Sequence, residues 1–279
     1  VPELPDVENL RCYFDATALH KRIERVKVRD ARLLETSASK VHSVLEGRRF
    51  TETARRGKRL FARACDDGGG GATKDVDRDG CEWLALHFGM TGSLEFFEVT
   101  GARPRGTALE IGFEDGGTLA VTTTRRLGKI GVARSPQQYA REHGLGPDAL
   151  EVGRDEFVET IGRRRGSVKA ALMNQSAIAG IGNIYADEVL FQAGVHPETP
   201  AAEVDRATLA ELWRVMRRVL RTASDRAADA DEMPRGWLLH ARNHGADCPR
   251  CDGSVEKLSV SGRPTYICPA CQHKRGGER

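Results

Sequence analysis

The sequence predicts an α+β protein, with a β-sandwich or β-barrel in its N-terminal half, a helical C-terminal half and a small cysteine-rich ribbon at the end. Three observations predict it. Short β-rich runs punctuated by Gly and Asp fill the chain from Arg22 to about Arg134. Apolar residues at helical spacing take over after Gly153. Four of the seven cysteines stand as two tight pairs beyond Asp247. A length of 279 residues leaves room for two domains. With 39% apolar and 30% charged residues, real cores must lie beneath a polar surface.

The first element is an amphipathic helix from Leu4 to about Lys21. Leu4, Val7, Leu10, Phe14 and Leu19 recur on one face, and Pro5 stands near the start, where a missing N–H is harmless. The β runs follow as RIERVKV, RRFTETARRGKRLFARA, EWLALHFGMTGSLEFF, TALEIGF, TLAVTTT and IGVA, with EDGG as the clearest hairpin turn. Within them DDGGGGATKDVDRDG has no periodicity and reads as a flexible hairpin insertion. Cys65 and Cys81 flank it as small strand residues. SPQQYAREHGLGPDALEVG, rich in Pro and Gly, reads as a linker. Helical patterns cover RDEFVETIG, SVKAALMNQ, NIYADEVLFQAG and the long run after Asp205, in which Leu209, Leu212, Val215, Met216, Val219 and Leu220 share a face. The boundaries that follow are 1–134 for the β domain, 135–150 for the linker, 151–243 for the helical domain and 244–279 for the ribbon.

No run of about 18 apolar residues predicts a membrane span, and the N-terminus lacks the basic and apolar regions of a signal peptide. The expectation is a cytoplasmic monomer. The net charge is only +3, but Gly162 to Asn183 carries Arg163, Arg164, Arg165 and Lys169 and no acid. Such concentration marks a nucleic-acid surface, although short basic runs are as often solvated faces.

CPRC and CPAC, sixteen residues apart, each offer two thiolates, and Cys248, Cys251, Cys268 and Cys271 together make a tetrahedral site for one Zn²⁺. Four protein ligands leave no open position, so the metal is expected to be structural. Between the knuckles VEKLSVSGRPTYI reads as a hairpin with Arg263 at its tip, a natural phosphate contact. An odd cysteine count argues against a disulfide framework. Gly180 and Gly182 allow a tight turn between two helices, with Asn183 as N-cap. The N–H groups of that helix start, with Lys169 and the arginines upstream, suggest a helix–two-turn–helix (H2TH) phosphate clamp.

These parts, in this order, resemble the formamidopyrimidine-DNA glycosylase/endonuclease VIII family of bifunctional DNA-repair glycosylases. PELPDVE, GKRLF, LHFGMTGSL, RRLG, LGPDAL, NQSAIAGIGNIYADEVLFQAGVHP and the four-cysteine ribbon carry the likeness, with PELP and GIGNIYADE closer to the formamidopyrimidine branch. The resemblance implies an α+β fold: an N-terminal β-sandwich flanked by helices, then a helical H2TH domain with a four-cysteine zinc-ribbon finger. It implies duplex DNA with oxidised bases or abasic sites as partner. The implied activity is glycosylase plus β/δ lyase.

Residue by residue, the resemblance makes Pro2 the Schiff-base nucleophile, once the initiator is removed. Val1 then reads as a GUG start codon translated literally. Glu3 becomes the proton donor and acceptor, Lys58 a phosphate-binding proton donor, and Arg263 the phosphate contact for δ-elimination. Met90, Arg125 and Leu127 would fill the hole left by a flipped-out base, while Arg126, Lys169 and Asn183 would bind DNA. The chemistry suits the residues. A terminal secondary amine with a pKa near about 8 is nucleophilic at neutral pH, and its iminium is an electron sink. Read without the resemblance, Lys58 and Arg263 are ordinary exposed residues, Met90 a core strand residue and Glu3 an acid favoured at a helix start.

Departures from the family's pattern bear on substrate choice. Leu127 stands where the formamidopyrimidine branch has phenylalanine, and threonines replace the Asp-Pro before Arg125. Asp6 replaces a glutamate. DADEMPRGWLLHARNHGAD lacks the pattern of the branch's lesion-capping loop. The competing reading is a non-catalytic lesion-binding protein of the same fold. Retention of Pro2, Glu3 and Lys58 together argues against it.

Overall fold

A computed structural model of the chain describes residues 2–66, 80–98 and 101–273. The insertion expected between Cys65 and Cys81 lies, over 67–79, outside the described residues. Contacts divide the chain into two units, one holding Pro2 and Asp6–His143, the other Glu3–Pro5 and Gly144 onward.

In the first unit α1 (Leu4–Ala18) places Val7 and Phe14 inward and stops before His20, whose φ of +65° ends helical geometry. A second helix, α2 (Ala38–Leu45), was not anticipated. The Ser37 hydroxyl accepts from Lys40 N at 3.1 Å, and Val41, Val44 and Leu45 face the core.

The described residues of this unit hold eight strands, all paired antiparallel: β1 (Ile23–Val28), β2 (Arg49–Arg56), β3 (Arg59–Cys65), β4 (Glu82–His87), β5 (Gly92–Phe97), β6 (Thr107–Phe113), β7 (Thr118–Thr123) and β8 (Lys129–Ala133). They form two sheets, ordered β1-β6-β7-β5 and β2-β3-β4-β8. Ile23, Leu94, Ile111 and Val121 from one sheet and Phe50, Leu60, Leu84 and Ile130 from the other join a single buried cluster, so the unit is a sandwich. Phe14 of α1 meets Phe50 edge-on at 4.9 Å within it.

The long run EWLALHFGMTGSLEFF divides between the sheets. Its first half, β4, pairs with β3 and β8, and its second half, β5, pairs with β7. Glycine explains the break: Gly92 donates its N–H to Phe88 O at 2.8 Å, and a Cβ there would lie 2.2 Å from that oxygen. Cys65 and Cys81 are not free strand residues but form a disulfide, with Cα atoms 4.4 Å apart. The supposed linker also contains a helix, α3 (Pro136–Glu142). Ser135 accepts from Gln138 N at 3.1 Å and Pro136 occupies the first turn, a start signal inside a stretch read as punctuation.

The second unit packs α4 (Arg154–Gly162), α5 (Val168–Met173), α6 (Asn183–Ala193) and α7 (Arg206–Asp225) around one core. The α7 face predicted from spacing is buried throughout, and Asp205 caps the helix by accepting from Thr208 N at 2.8 Å. β9 (Glu256–Val260) and β10 (Arg263–Ile267) form the ribbon. Ser261 and Gly262, at φ +52° and +72°, make the two-residue turn whose twist suits a hairpin. Among the described residues no helix is long and apolar enough to cross a membrane.

Candidate active site

The chain start is fixed by its first carboxylate. Glu3, 2% exposed, accepts from the backbone N–H of Gly182 (2.7 Å), Ile184 (2.8 Å) and Tyr185 (3.2 Å). These groups are the first donors of α6, orphaned by helix geometry. Gly182, not Asn183, is the N-cap, and it makes no side-chain cap. The helix start expected to receive a phosphate therefore holds Glu3. Both glycines are needed for the approach. A Cβ on Gly182 would lie 2.3 Å from Glu3 Cδ, and one on Gly180, at φ +121°, would lie 2.7 Å from Leu4 Cδ1. Leu4 N donates to Gly180 O at 3.1 Å and its side chain is buried in the helical core.

Lys58 sits with Gly57 in the two-residue turn between β2 and β3, flanked by the register pair Arg56↔Arg59. Gly57 has a φ of +56°. Glu8 of α1 accepts from Arg55 Nε at 3.0 Å, and Arg55 Nη1 donates to Gly57 O at 3.1 Å, so the turn is braced from the helix. Burial pushes the Glu8 carboxyl up, but hydrogen bonds and charge from Arg11 and Arg55 outweigh it and hold the group below its ordinary range. His87, next to Lys58 electrostatically, is pushed down to about 4 by burial first and by Arg59 and Lys58 after it.

Met90, Arg125 and Leu127 come together. The β4–β5 and β7–β8 connections both cross from sheet to sheet, and they run side by side between the pairs His87↔Lys129 and Gly92↔Thr123. Met90 is 40% and Leu127 52% exposed, more than the other exposed large apolar side chains among the described residues, Tyr13 and Ile184. Arg125 Nη1 lies 3.4 Å from Met90 Sδ. Arg126 holds a φ of +54°, rare for a residue with a Cβ, and its guanidinium lies 3.5 Å from Asp30.

Lys169 does not reach a surface. Its side chain is fully buried, with Nζ 2.7 Å from Asp187 Oδ1 and donating to Thr265 Oγ1 at 2.6 Å. Arg242 shares the same carboxylate at 2.9 Å. Burial lowers the Lys169 pKa, and Asp187 opposes the shift. The DNA contact expected of Lys169 gives way to a tie between α5, α6 and β10. Asp187 had been hidden in an otherwise apolar helix pattern. Asn183 donates from Nδ2 to Pro264 O at 2.9 Å, beside Arg263, whose own side chain is exposed at the hairpin turn. In the basic run Arg163 pairs with Glu159 at 3.2 Å, while Arg165 stays exposed.

The four ribbon cysteines bring their sulfurs within 4.8 Å of one another, with separations of 3.5, 3.6 and 3.8 Å among them. A tetrahedron of Zn–S bonds of about 2.3 Å has edges of about 3.8 Å, so the set fits zinc. Arg250 N and Gly253 N each point at a sulfur at 3.4 Å, the outer hydrogen bonds that orient thiolate ligands.

Three family models match the chain. They are the formamidopyrimidine-DNA glycosylase N-terminal domain over residues 1–130, the formamidopyrimidine-DNA glycosylase H2TH domain over 144–232, and the zinc finger found in FPG and IleRS over 247–274. The formamidopyrimidine-DNA glycosylase of Geobacter metallireducens is 33% identical across 98% of this chain and 100% of its own length. That of Halorhodospira halophila is 32% identical with the same coverage. The chain belongs to the formamidopyrimidine-DNA glycosylase family.

Members of this family are DNA-repair glycosylases, and the four-cysteine cluster is its structural zinc site. Among solved structures, the Lactococcus lactis Fpg bound to FAPY-dG-containing DNA superposes with a TM-score of 0.84 at 25% identity, over 98% of this chain and 100% of that one. The same protein with abasic-site DNA gives 0.83 over the same coverage. Sequence reasoning missed several residues around the family's motifs. Glu8 and Arg55 brace the Lys58 turn, Asp187 and Arg242 hold Lys169, and Thr91 joins the two exposed loops. Glu8, Thr91 and Asp187 lay inside motifs that carry the resemblance, yet no role had been assigned to them there.

Proposed function

We propose that the protein is a base-excision-repair glycosylase with abasic-site lyase activity, acting on duplex DNA through a Schiff base at Pro2. The observation that carries this reading is the anchoring of Glu3 by three backbone N–H groups. It fixes a carboxylate one peptide bond from Pro2 and keeps the chain start from fraying. An anion so held, at a helix N-terminus, is suited to stabilise a cationic iminium and to relay protons.

The neutral Pro2 nitrogen attacks C1′ of the damaged nucleotide with its lone pair. The glycosidic bond breaks and the base leaves with that electron pair, taking a proton. The amine proton passes to Glu3. Cleavage of C1′–O4′ opens the sugar as the iminium forms, and a proton delivered to O4′ completes that step. Loss of a C2′ proton to a base turns the iminium into an enamine, whose electrons then break C3′–O, expel the 3′ phosphate and restore a conjugated iminium. Loss of the C4′ proton feeds a second elimination that breaks C5′–O and expels the 5′ phosphate, and water adds to C1′ of the remaining iminium to release Pro2. Lys58 and Arg263 are assigned to phosphates, with Lys58 also donating a proton during base loss. Arg126 and Asn183 contact the backbone. Met90, Arg125 and Leu127 enter the stack where the flipped base leaves a gap, offsetting an unstacking cost of a few kcal/mol. The four-cysteine zinc site holds the Arg263 hairpin and takes no part in the chemistry.

The Lactococcus protein's abasic-site and FAPY-dG ligands name the first two substrates to assay. Borohydride added to the protein on an abasic-site duplex should give a covalent adduct, and Pro2→Gly should abolish it. No adduct from the unaltered protein would overturn the lyase assignment. The nucleophile must also be terminal, so intact-mass measurement should show Val1 absent from the active protein.

A further inference from the structure

Two loops carry the side chains assigned to the DNA stack, and besides the 3.4 Å contact of Arg125 Nη1 with Met90 Sδ a pair of threonine hydroxyls joins them. Thr91 Oγ1 accepts from Arg125 N at 3.1 Å and from Thr124 Oγ1 at 2.9 Å. Beneath this pair the backbones touch. A Cβ on Gly89 would lie 2.5 Å from Leu127 C, and one on Gly128 would lie 2.9 Å from His87 O. The strands entering and leaving are themselves paired, at His87↔Lys129 and Gly92↔Thr123. The loop bases are thus rigidly spaced, while their tips depend on the hydroxyls.

We propose that Thr91, held by Thr124, is a positioning residue that sets the spacing of Met90 against Arg125 and Leu127 and so governs base extrusion. Thr91 follows Met90 directly, and the Arg125 N–H it holds begins the segment ending at Leu127. One hydroxyl therefore ties the backbone of one loop to the other, next to the side-chain contact of Arg125 with Met90. Both threonines are exposed in the free protein, where water competes for their hydrogen bonds. A duplex that excludes water strengthens them, so the effect belongs to the DNA-bound state. The inference rests on the reading that Met90, Arg125 and Leu127 enter the stack.

The test uses a FAPY-dG duplex with 2-aminopurine beside the lesion, whose fluorescence rises when that step is unstacked. Thr91→Val removes the acceptor at nearly constant volume, Thr91→Ser keeps it, and Thr124→Val removes the second donor. Thr91→Val should slow the fluorescence rise and single-turnover excision by roughly tenfold, the worth of one well-placed hydrogen bond. Thr124→Val should slow both less, and Thr91→Ser should restore both. Trapping on a preformed abasic site, which has no base to extrude, should change by less than about threefold. Equal rates for Thr91→Val and the unaltered protein, equal impairment by Val and Ser, or an equal loss on the abasic duplex would overturn the proposal. Failure of the unaltered protein to give any fluorescence rise would instead overturn the stack-entry reading itself.

Discussion

Gly182 is required by a neighbour 179 positions away in sequence: its N–H donates to Glu3, and a side chain would occupy the space of that carboxylate. Gly182→Ala should expel Glu3 from the start of α6 and leave the donors of Gly182, Ile184 and Tyr185 buried. The expected cost is about 2 kcal/mol or more in thermal melting, with borohydride trapping lost as well. Glu3→Gln, which keeps an acceptor but not the charge, should preserve the fold and lose turnover. The glycines of GIGN announced a turn, yet nothing in their spacing said that a carboxylate from the chain start would fill it. His87 gives a second prediction at this scale. Its folded pKa of about 4 lies below the ordinary 6.5. The unfolded chain therefore binds a proton between these values that the folded chain refuses. This stability is present above about pH 6.5 and is lost as pH falls toward about 4, by an amount of order 3 kcal/mol. His87→Gln should flatten the dependence of melting temperature on pH across that window. An unchanged slope would refute the assignment.

Elements were legible wherever burial imposed a period. α1, α7, the ribbon strands and most sandwich strands stand where their apolar residues placed them, because one face of each meets a core. α2 and α3 were missed because each is short and announced chiefly by its serine cap. The division of β4 from β5 was missed because both halves are apolar and only Gly89 and Gly92 mark the change of sheet. Lys169 was misread for a different reason. A lysine in a basic run looks solvated, and the acid that claims it lies on the next helix. Breaking that buried pair by Asp187→Ala should destabilise the second unit by about 3–5 kcal/mol, since Lys169 is left charged and enclosed. Asp187→Leu with Lys169→Met should recover much of the loss, which denaturant melts of the two variants will show. The Cys65–Cys81 bridge makes its own prediction for the sandwich. Closing a loop with a sequence separation of 16 should stabilise it by about 3 kcal/mol. Melting with and without a thiol reductant measures that directly, with Cys65→Ala/Cys81→Ala expected to match the reduced form.

Across the whole molecule the formal charge of +3 is too small to explain affinity for a polyanion, so binding must depend on where the cations stand. Lys58 on its hairpin turn, Arg126 beside the exposed loops and Arg263 on the ribbon are the cations assigned to phosphates. Each neutralised phosphate releases counterions, so log K must fall linearly with log salt at about 0.9 per contact. Measured by anisotropy on a duplex with a tetrahydrofuran abasic analogue, binding by the unaltered protein should weaken steeply with salt. Arg263→Gln and Arg126→Gln should each reduce the slope by about one and weaken binding evenly across sequences. The double variant should lose about two if cations of both units engage one duplex. Zinc adds an independent lever. Chelation should remove the Arg263 contribution by loosening the hairpin, so the chelated protein should match Arg263→Gln in slope. A slope for the chelated protein equal to that of the untreated one would mean that the ribbon makes no phosphate contact. The role assigned to Arg263 would then fall, while the assignment of Pro2 and Glu3 would stand on its own evidence.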